Sequence, residues 1–312
     1  MEWYEILLLV VGSLFLLAII LGIIISSYLI NHFIYPYCRP KNEVIDFLIK
    51  CKRFTLKEFN EFKFEEFNIK TDDGLNLKGS YVINENVSKD NKAVILCHGW
   101  TSSRYAMLTY AKIYMELGFH IFIYDHRNHH LSDKSITTMG DKEADDLQLV
   151  INYVKEKFNY DVVIGTHGES MGAATVMINA GRYHSVSFVV EDCGFDNFYE
   201  LLVYLQKKER KYLNLTLMFF ANIVFKVKTG KFLTDIAPIK YINTCDDIPM
   251  LFVHGLKDDF VPTYMAYRCY DFKNGNKKIS LYEDCHHGEC ITNKFNDYKK
   301  DVTNFLKENN II

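Results

Sequence analysis

A chain of 312 residues, 49% apolar and 24% charged, is long enough for one large globular domain with a further segment attached. Its formal net charge of −3, with no basic stripe beyond one short flank, argues against nucleic acid as a partner. The eight cysteines include no CxxC pair and fall inside apolar runs or beside chemical motifs, which speaks for reduced thiols and against a disulfide framework.

The first element is Ile6 to Ile30, 25 positions without a charge. As a helix it would be about 37 Å long, enough to cross a bilayer. A cleaved signal peptide would need a basic start and a shorter apolar run, whereas this chain begins "MEWYE". Arg39, Lys41, Lys50, Lys52 and Arg53 follow the run. The positive-inside bias therefore predicts an uncleaved single-pass anchor over 1–31, with the rest of the chain in the cytoplasm. Residues 32–61 read as a juxtamembrane connector with a short amphipathic helix. The sequons at Asn86 and Asn214 are then chance matches in an Asn-rich chain.

From residue 62 the rhythm changes. "FEEFNIKTDDGLNLKGSYVI" alternates about Asp73-Gly74 and predicts an opening β-hairpin. "KAVILCHGW", "HIFIYDHR", "DVVIGTH", "SFVVEDCG", "MLFVHG" and "KKISLYEDC" follow as short strand candidates, most of them separated by helical stretches such as "DKEADDLQLVINYVKEKF". Strands alternating with helices predict βαβ units, a mostly parallel sheet covered on both faces, and chemistry at the strand C-termini. Between the sixth and seventh strand candidates, Phe195 to about Ile242 holds more helical-period apolar residues than a connection requires. It reads either as core or as a cap over a site for an acyl or other hydrophobic group.

At one strand-to-helix corner stands Gly168-Glu169-Ser170-Met171-Gly172. The bland reading is a glycine-rich turn with a capping serine. The sharper one is a G-x-S-x-G nucleophile elbow, whose glycines relieve crowding and leave the Ser170 hydroxyl exposed, with the first helical N–H, that of Met171, facing a reacting carbonyl. A serine needs a histidine base, and the histidine needs a carboxylate to hold it. "LFVHGLKDDFVP" and "LYEDCHHGEC" supply both kinds of residue downstream, with Asp258 or Asp259 as the acid and His287 or His286 as the base, and Asp192 after an earlier strand as a further acid candidate.

These motifs together resemble the α/β-hydrolases, in particular small membrane-anchored bacterial serine hydrolases related to monoacylglycerol lipases and serine aminopeptidase-like proteins. The resemblance covers roughly Phe64 to Leu306. It implies an oxyanion donor at Trp100 in His98-Gly99-Trp100, the acid at Asp258 in "HGLKDDFVP" and the base at His287. "DHRNHHLS" matches the family's D-x-R-x-x-G-x-S except that His130 replaces a glycine.

His126, His129 and His130, and the group Cys285, His286, His287 and Cys290, carry zinc-ligand types, but each coincides with a hydrolase motif, so no metal is expected. "GTHGESMG" lacks the Lys-Ser/Thr pair of a phosphate-binding loop, and no cofactor is implied. The expectation is a membrane-anchored serine hydrolase of α/β-hydrolase fold, cleaving an ester or thioester of a small or lipid-derived acyl substrate. An aminopeptidase-like enzyme and a catalytically silent, membrane-tethered binding protein are the alternatives.

Overall fold

The computed structural model describes residues 2–85, 91–210 and 215–312; the sequon asparagines Asn86 and Asn214 lie outside them. Its first element, α1 (Trp3–Ile34), is long and apolar enough to cross a membrane, and its first two-thirds carry exposed apolar side chains such as Leu8 and Phe15. Only near its C-terminal end does α1 turn buried, at Ser26, Ile30 and Ile34. The connector is folded rather than extended. It forms α2 (Lys41–Lys50) and α3 (Leu56–Glu61), and α2 buries Val44 and Leu48 in the main core. Thr55 accepts from the Glu58 N–H while Glu58 reaches back to the Thr55 N–H, a reciprocal cap that starts α3.

The hairpin β1 (Glu65–Lys70) and β2 (Asn76–Val82) turns at Gly74, whose φ of +88° favours a residue without Cβ. There follow β3 (Lys92–Cys97), α4 (Leu108–Glu116), β4 (His120–Tyr124), α5 (Asp141–Lys157), β5 (Val163–Glu169) and α6 (Met171–Tyr183). Next come β6 (Phe188–Asp192), the inserted helices α7 (Phe198–Arg210) and α8 (Leu215–Thr229), and the short α9 (Ile239–Ile242). The chain ends through β7 (Met250–Gly255), α10 (Tyr264–Phe272), β8 (Lys277–Tyr282), α11 (Cys290–Asn293) and α12 (Phe295–Glu308).

The eight strands form one sheet in the order β1-β2-β4-β3-β5-β6-β7-β8. β2 pairs antiparallel with β1 and β4, and every other pairing is parallel. Period-two alternation sorts the side chains: β3 sends Val94 and Leu96 into the core under α4 and α12, and Ala93, Ile95 and Cys97 into the core under α5 and α6. A third apolar cluster joins the end of α1 to α7, α8 and Met171. This is the α/β-hydrolase fold expected from the resemblance, and the parallel strands bring their C-terminal ends to one edge.

The loop after β4 is set by buried charge. Arg127 is 3% exposed and holds Asp146, itself 1% exposed, at 2.6 Å, with Asp73 at 2.9 Å. The Asp125 carboxylate accepts the Arg104 N–H at 2.8 Å. His130, which stands where the related motif has glycine, takes φ +39°, so the loop keeps the left-handed turn that glycine adopts freely. Replacing Arg127 by Met leaves Asp146 buried without its partner. We expect a loss of about 3 kcal/mol in denaturant unfolding, a change that Asp72→Asn at an exposed position does not cause.

Candidate active site

β5 ends at Glu169 and α6 begins at Met171, leaving Ser170 alone at the corner with φ +57° and ψ −113°. A non-glycine residue held there costs on the order of 1–3 kcal/mol, so the surroundings must impose it. They do so through glycine. A Cβ at Gly172 would stand 2.0 Å from the Cys97 carbonyl oxygen at the end of β3, and one at Gly168 would stand 2.1 Å from the Gly172 oxygen. Only hydrogen at both positions lets helix and strands close this tightly. The Ser170 N–H donates to the Asp192 carbonyl at the end of β6, 2.8 Å away, which ties the corner to the neighbouring strand.

Three residues far apart in the chain converge at this corner. His287 Nε2 lies 2.9 Å from Ser170 Oγ, and His287 Nδ1 lies 2.7 Å from Asp258 Oδ2. Hydrogen-bond geometry of this kind orients a histidine with its Nε2 lone pair toward the serine. The Asp258 side chain is fully buried, but its Oδ1 accepts the N–H groups of Phe260 and Val261 at 3.0 and 2.8 Å, and His254 Nε2 lies 3.3 Å from its Oδ2. Burial alone would raise its pKa; the hydrogen bonds from His254 and His287 outweigh it and hold the carboxyl well below the usual carboxylate range. Asp258 is therefore an anion at neutral pH.

The other candidates lie apart. Asp259 is exposed and pairs with Lys208 at 2.7 Å. His286 is exposed and uses its backbone N–H on Glu289. Asp192 points behind the corner, where its Oδ2 accepts from Tyr110 at 2.9 Å and Tyr298 at 3.1 Å. Burial pushes its carboxyl up to about 7, assisted by the nearby Glu169 charge.

Trp100 follows β3 and faces the corner across Gly99, with Met171 on the other side. Among the described residues neither backbone N–H has an internal acceptor, so both remain available to an oxygen bound near Ser170. The Trp100 indole donates to the Phe33 carbonyl of α1 at 3.0 Å, and its ring stacks on Phe33 at 5.3 Å. The end of the long apolar helix thus fixes this loop.

Sequence reasoning missed the polar layer beneath the corner: the Tyr110 hydroxyl oxygen also lies 2.7 Å from Glu169 Oε2, and His167 lies 3.0 Å from both the Tyr114 and the Tyr298 hydroxyl. These residues sit on α4, β5 and α12, and no local motif marks them. For metal ions, the one grouping among the described residues with ligand atoms within 4.8 Å of one another is Cys193, Asp258 and His287. A cation there would compete with the His287–Asp258 hydrogen bond. In the histidine-rich loop, His98 Nε2 already accepts the His126 N–H at 3.1 Å.

Two cavities meet at the site, and both include Trp100 and Phe260 in their walls. One, of about 480 Å³, is lined mainly by apolar side chains of α1, α7 and α8, among them Ile30, Phe33, Leu202, Met218 and Ala221. The other, of about 290 Å³, contains Ser170 and His287.

The pattern of the family described as the alpha/beta hydrolase fold matches residues 92–203. The Bacillus subtilis protein YqkD, itself uncharacterized, is 31% identical over 305 residues, 97% of each chain. An uncharacterized membrane protein of Saccharomyces cerevisiae is 23% identical over 253 residues, covering 80% of this chain and 81% of that one. Among solved structures, an esterase of Pyrococcus furiosus superposes with a TM-score of 0.67 at 26% identity, over 82% of this chain and 94% of that one.

The close approach at Gly172 is directly testable. A Gly172→Ala substitution drives a methyl group into backbone that cannot yield, and we expect it to cost about 2–3 kcal/mol in unfolding free energy, whereas Ser170→Ala leaves the melting temperature within a few degrees of the parent.

Proposed function

The chain belongs to the α/β-hydrolase family, and on that premise we propose that it is a membrane-anchored serine hydrolase cleaving a carboxylic ester or thioester through Ser170, His287 and Asp258. The observation that carries this reading is the unbroken hydrogen-bonded relay from Ser170 Oγ to His287 to the anionic Asp258, 2.9 and 2.7 Å per step. A solved esterase of the same architecture is consistent with it.

In this mechanism His287 Nε2 takes the Ser170 proton as Oγ adds to the substrate carbonyl. The oxyanion is received by the N–H groups of Trp100 and Met171, a term often worth about 3 kcal/mol per donor. His287 then protonates the leaving alcohol or thiol as the acyl–Oγ bond stands and the acyl–leaving-group bond breaks. Water, activated by the same histidine, adds to the acyl-enzyme and releases the acid. Asp258 keeps the histidine in the required tautomer throughout. The apolar cavity beside Trp100 is shaped for an acyl chain, and its lining favours medium-chain esters over acetyl esters.

We place the enzyme on a membrane. The apolar run of α1 and the basic residues on its C-terminal side support a single span over 1–31 with the domain, 62–312, on the cytoplasmic face. The insertion at about 195–242 then serves as the cap over the site.

Two experiments test these readings. Ser170→Ala should abolish turnover of p-nitrophenyl esters and labelling by a fluorophosphonate, and Asp258→Asn should lower kcat by orders of magnitude while Asp259→Asn costs little. Labelling that survives in Ser170→Ala, or the reverse ranking of the aspartates, overturns the assignment. For topology, alkaline phosphatase fused after Ile312 and expressed in a bacterial host should stay inactive, because it matures only outside the cytoplasm; an active fusion reverses the orientation.

A further inference from the structure

The cavity that contains Ser170 is not symmetric in character. Its side toward the cap is apolar, and its opposite side is built by the connector, where Arg39 and Arg53 flank α2. Each arginine is tied to one catalytic loop. The Arg39 N–H donates to the carbonyl of Thr101, next to Trp100, at 3.1 Å. The Arg53 Nη2 donates to the carbonyl of Gly288, next to His287, at 2.8 Å.

Both guanidinium groups stand over the Phe47 ring, with centroid distances of 5.5 and 5.4 Å, which draws them to the same stretch of wall. Arg39 is exposed and Arg53 half-buried, and neither forms an ion pair with a carboxylate of the described residues. Arg53 Nε is shielded from solvent and has no hydrogen-bond partner among the described residues. The planar guanidinium fork matches carboxylate and phosphate bidentately, which suits these two groups to an anion. The one carboxylate on this wall, Glu169, has an oxygen engaged by Tyr110.

We propose that Arg39 and Arg53 form the subsite for an anionic group on the leaving alcohol, so that the substrate is an ester joining a single apolar acyl chain to a phosphate- or carboxylate-bearing alcohol. The proposal rests on the serine hydrolase reading above and specifies its substrate. With the ester carbonyl at Ser170, the acyl chain runs past Trp100 and Phe260 into the larger cavity between α1, α7 and α8. The alcohol lies on the other side, against α2. The apolar cavity between α1, α7 and α8 receives that one chain. Hydrolysis consumes one water and releases the fatty acid and the anionic alcohol, with the proton delivered to the alcohol oxygen by His287. The connector thereby acts as a wall of the site rather than as a spacer.

The test compares monodecanoylglycerol with monodecanoylglycerol phosphate, which share chain, ester and glycerol and differ only in the anion. Full-length protein is assayed in micelles of an uncharged detergent, where no anionic surface is present. The parent should favour the phosphate ester in kcat/KM by about tenfold or more, mainly through KM. Arg53→Gln should bring the ratio of the two substrates toward one, and exposed Arg39→Glu should invert it. A parent ratio near one, or a ratio unchanged in both variants, overturns the proposal. So does a preference that appears only on anionic vesicles, since the arginines would then be serving the bilayer. Inorganic phosphate alone should inhibit far less than decyl phosphate; equal inhibition would show a site for the free ion and not for an amphiphile. Failure of the parent to cleave either ester would instead strike the hydrolase reading. Calorimetric binding of decyl phosphate against decanol to Ser170→Ala then decides the subsite separately, equal affinity for the two overturning it.

Discussion

The approach of Gly172 to the Cys97 carbonyl is the contact on which the rest of the site depends. With hydrogen in place of a side chain, α6 starts immediately beside the ends of β3 and β5, and Ser170 is left in a backbone conformation that no free peptide would hold. The strain is offset by the close-packed sheet on either side and by the bond from the Ser170 N–H to β6. One consequence is that the hydroxyl points out of the corner. Another is that the Met171 N–H, first in α6, has no intrahelical acceptor.

Around that corner the electrostatics are arranged in two tiers. In front, Asp258 is buried yet accepts hydrogen bonds from two backbone N–H groups and approaches two imidazoles, so its charge is held by fixed dipoles instead of by water. Behind, Asp192 is equally buried but has only tyrosine hydroxyls as donors on its Oδ2, and its proton is held far more tightly. Two carboxyls at the ends of adjacent strands thus differ in the number and kind of donors they meet, and only Asp258 faces His287.

The long apolar helix and the site are mechanically one. Phe33 holds the Trp100 indole through its carbonyl, Asn128 donates to the Ile34 carbonyl at 3.0 Å, and Ser26 donates to Leu217 of the inserted helix at 3.2 Å. Gly22 lies so near the Phe220 ring that a Cβ would stand 2.7 Å from it. The helix ends inside the α/β-hydrolase fold, as part of the wall of the cavity beside Trp100. Displacing the last turns of α1 would shift the loop that carries Trp100 without touching Ser170.

Much of this architecture was legible in the chain because it is written in local backbone chemistry. Period-two apolar runs mark the strands, Asp73-Gly74 marks the hairpin, 25 uncharged positions mark the long helix, and glycines spaced about Ser170 mark the corner. Each of these follows from the conformational limits of a few neighbouring residues. The spacing of "HGLKDD" and "CHHGEC" did not separate Asp258 from Asp259 or His287 from His286 without the family resemblance, because adjacent side chains differ only in the direction they take from the backbone. That direction is decided by contacts from elsewhere: Lys208 draws Asp259 outward, while His254 and the N–H groups of Phe260 and Val261 hold Asp258 inward. The same holds for the connector, which in sequence looks like a tether. Val44 and Leu48 find a core to enter only once α4 and the sheet are in place, and that packing sets Arg39 and Arg53 beside a serine more than a hundred residues away.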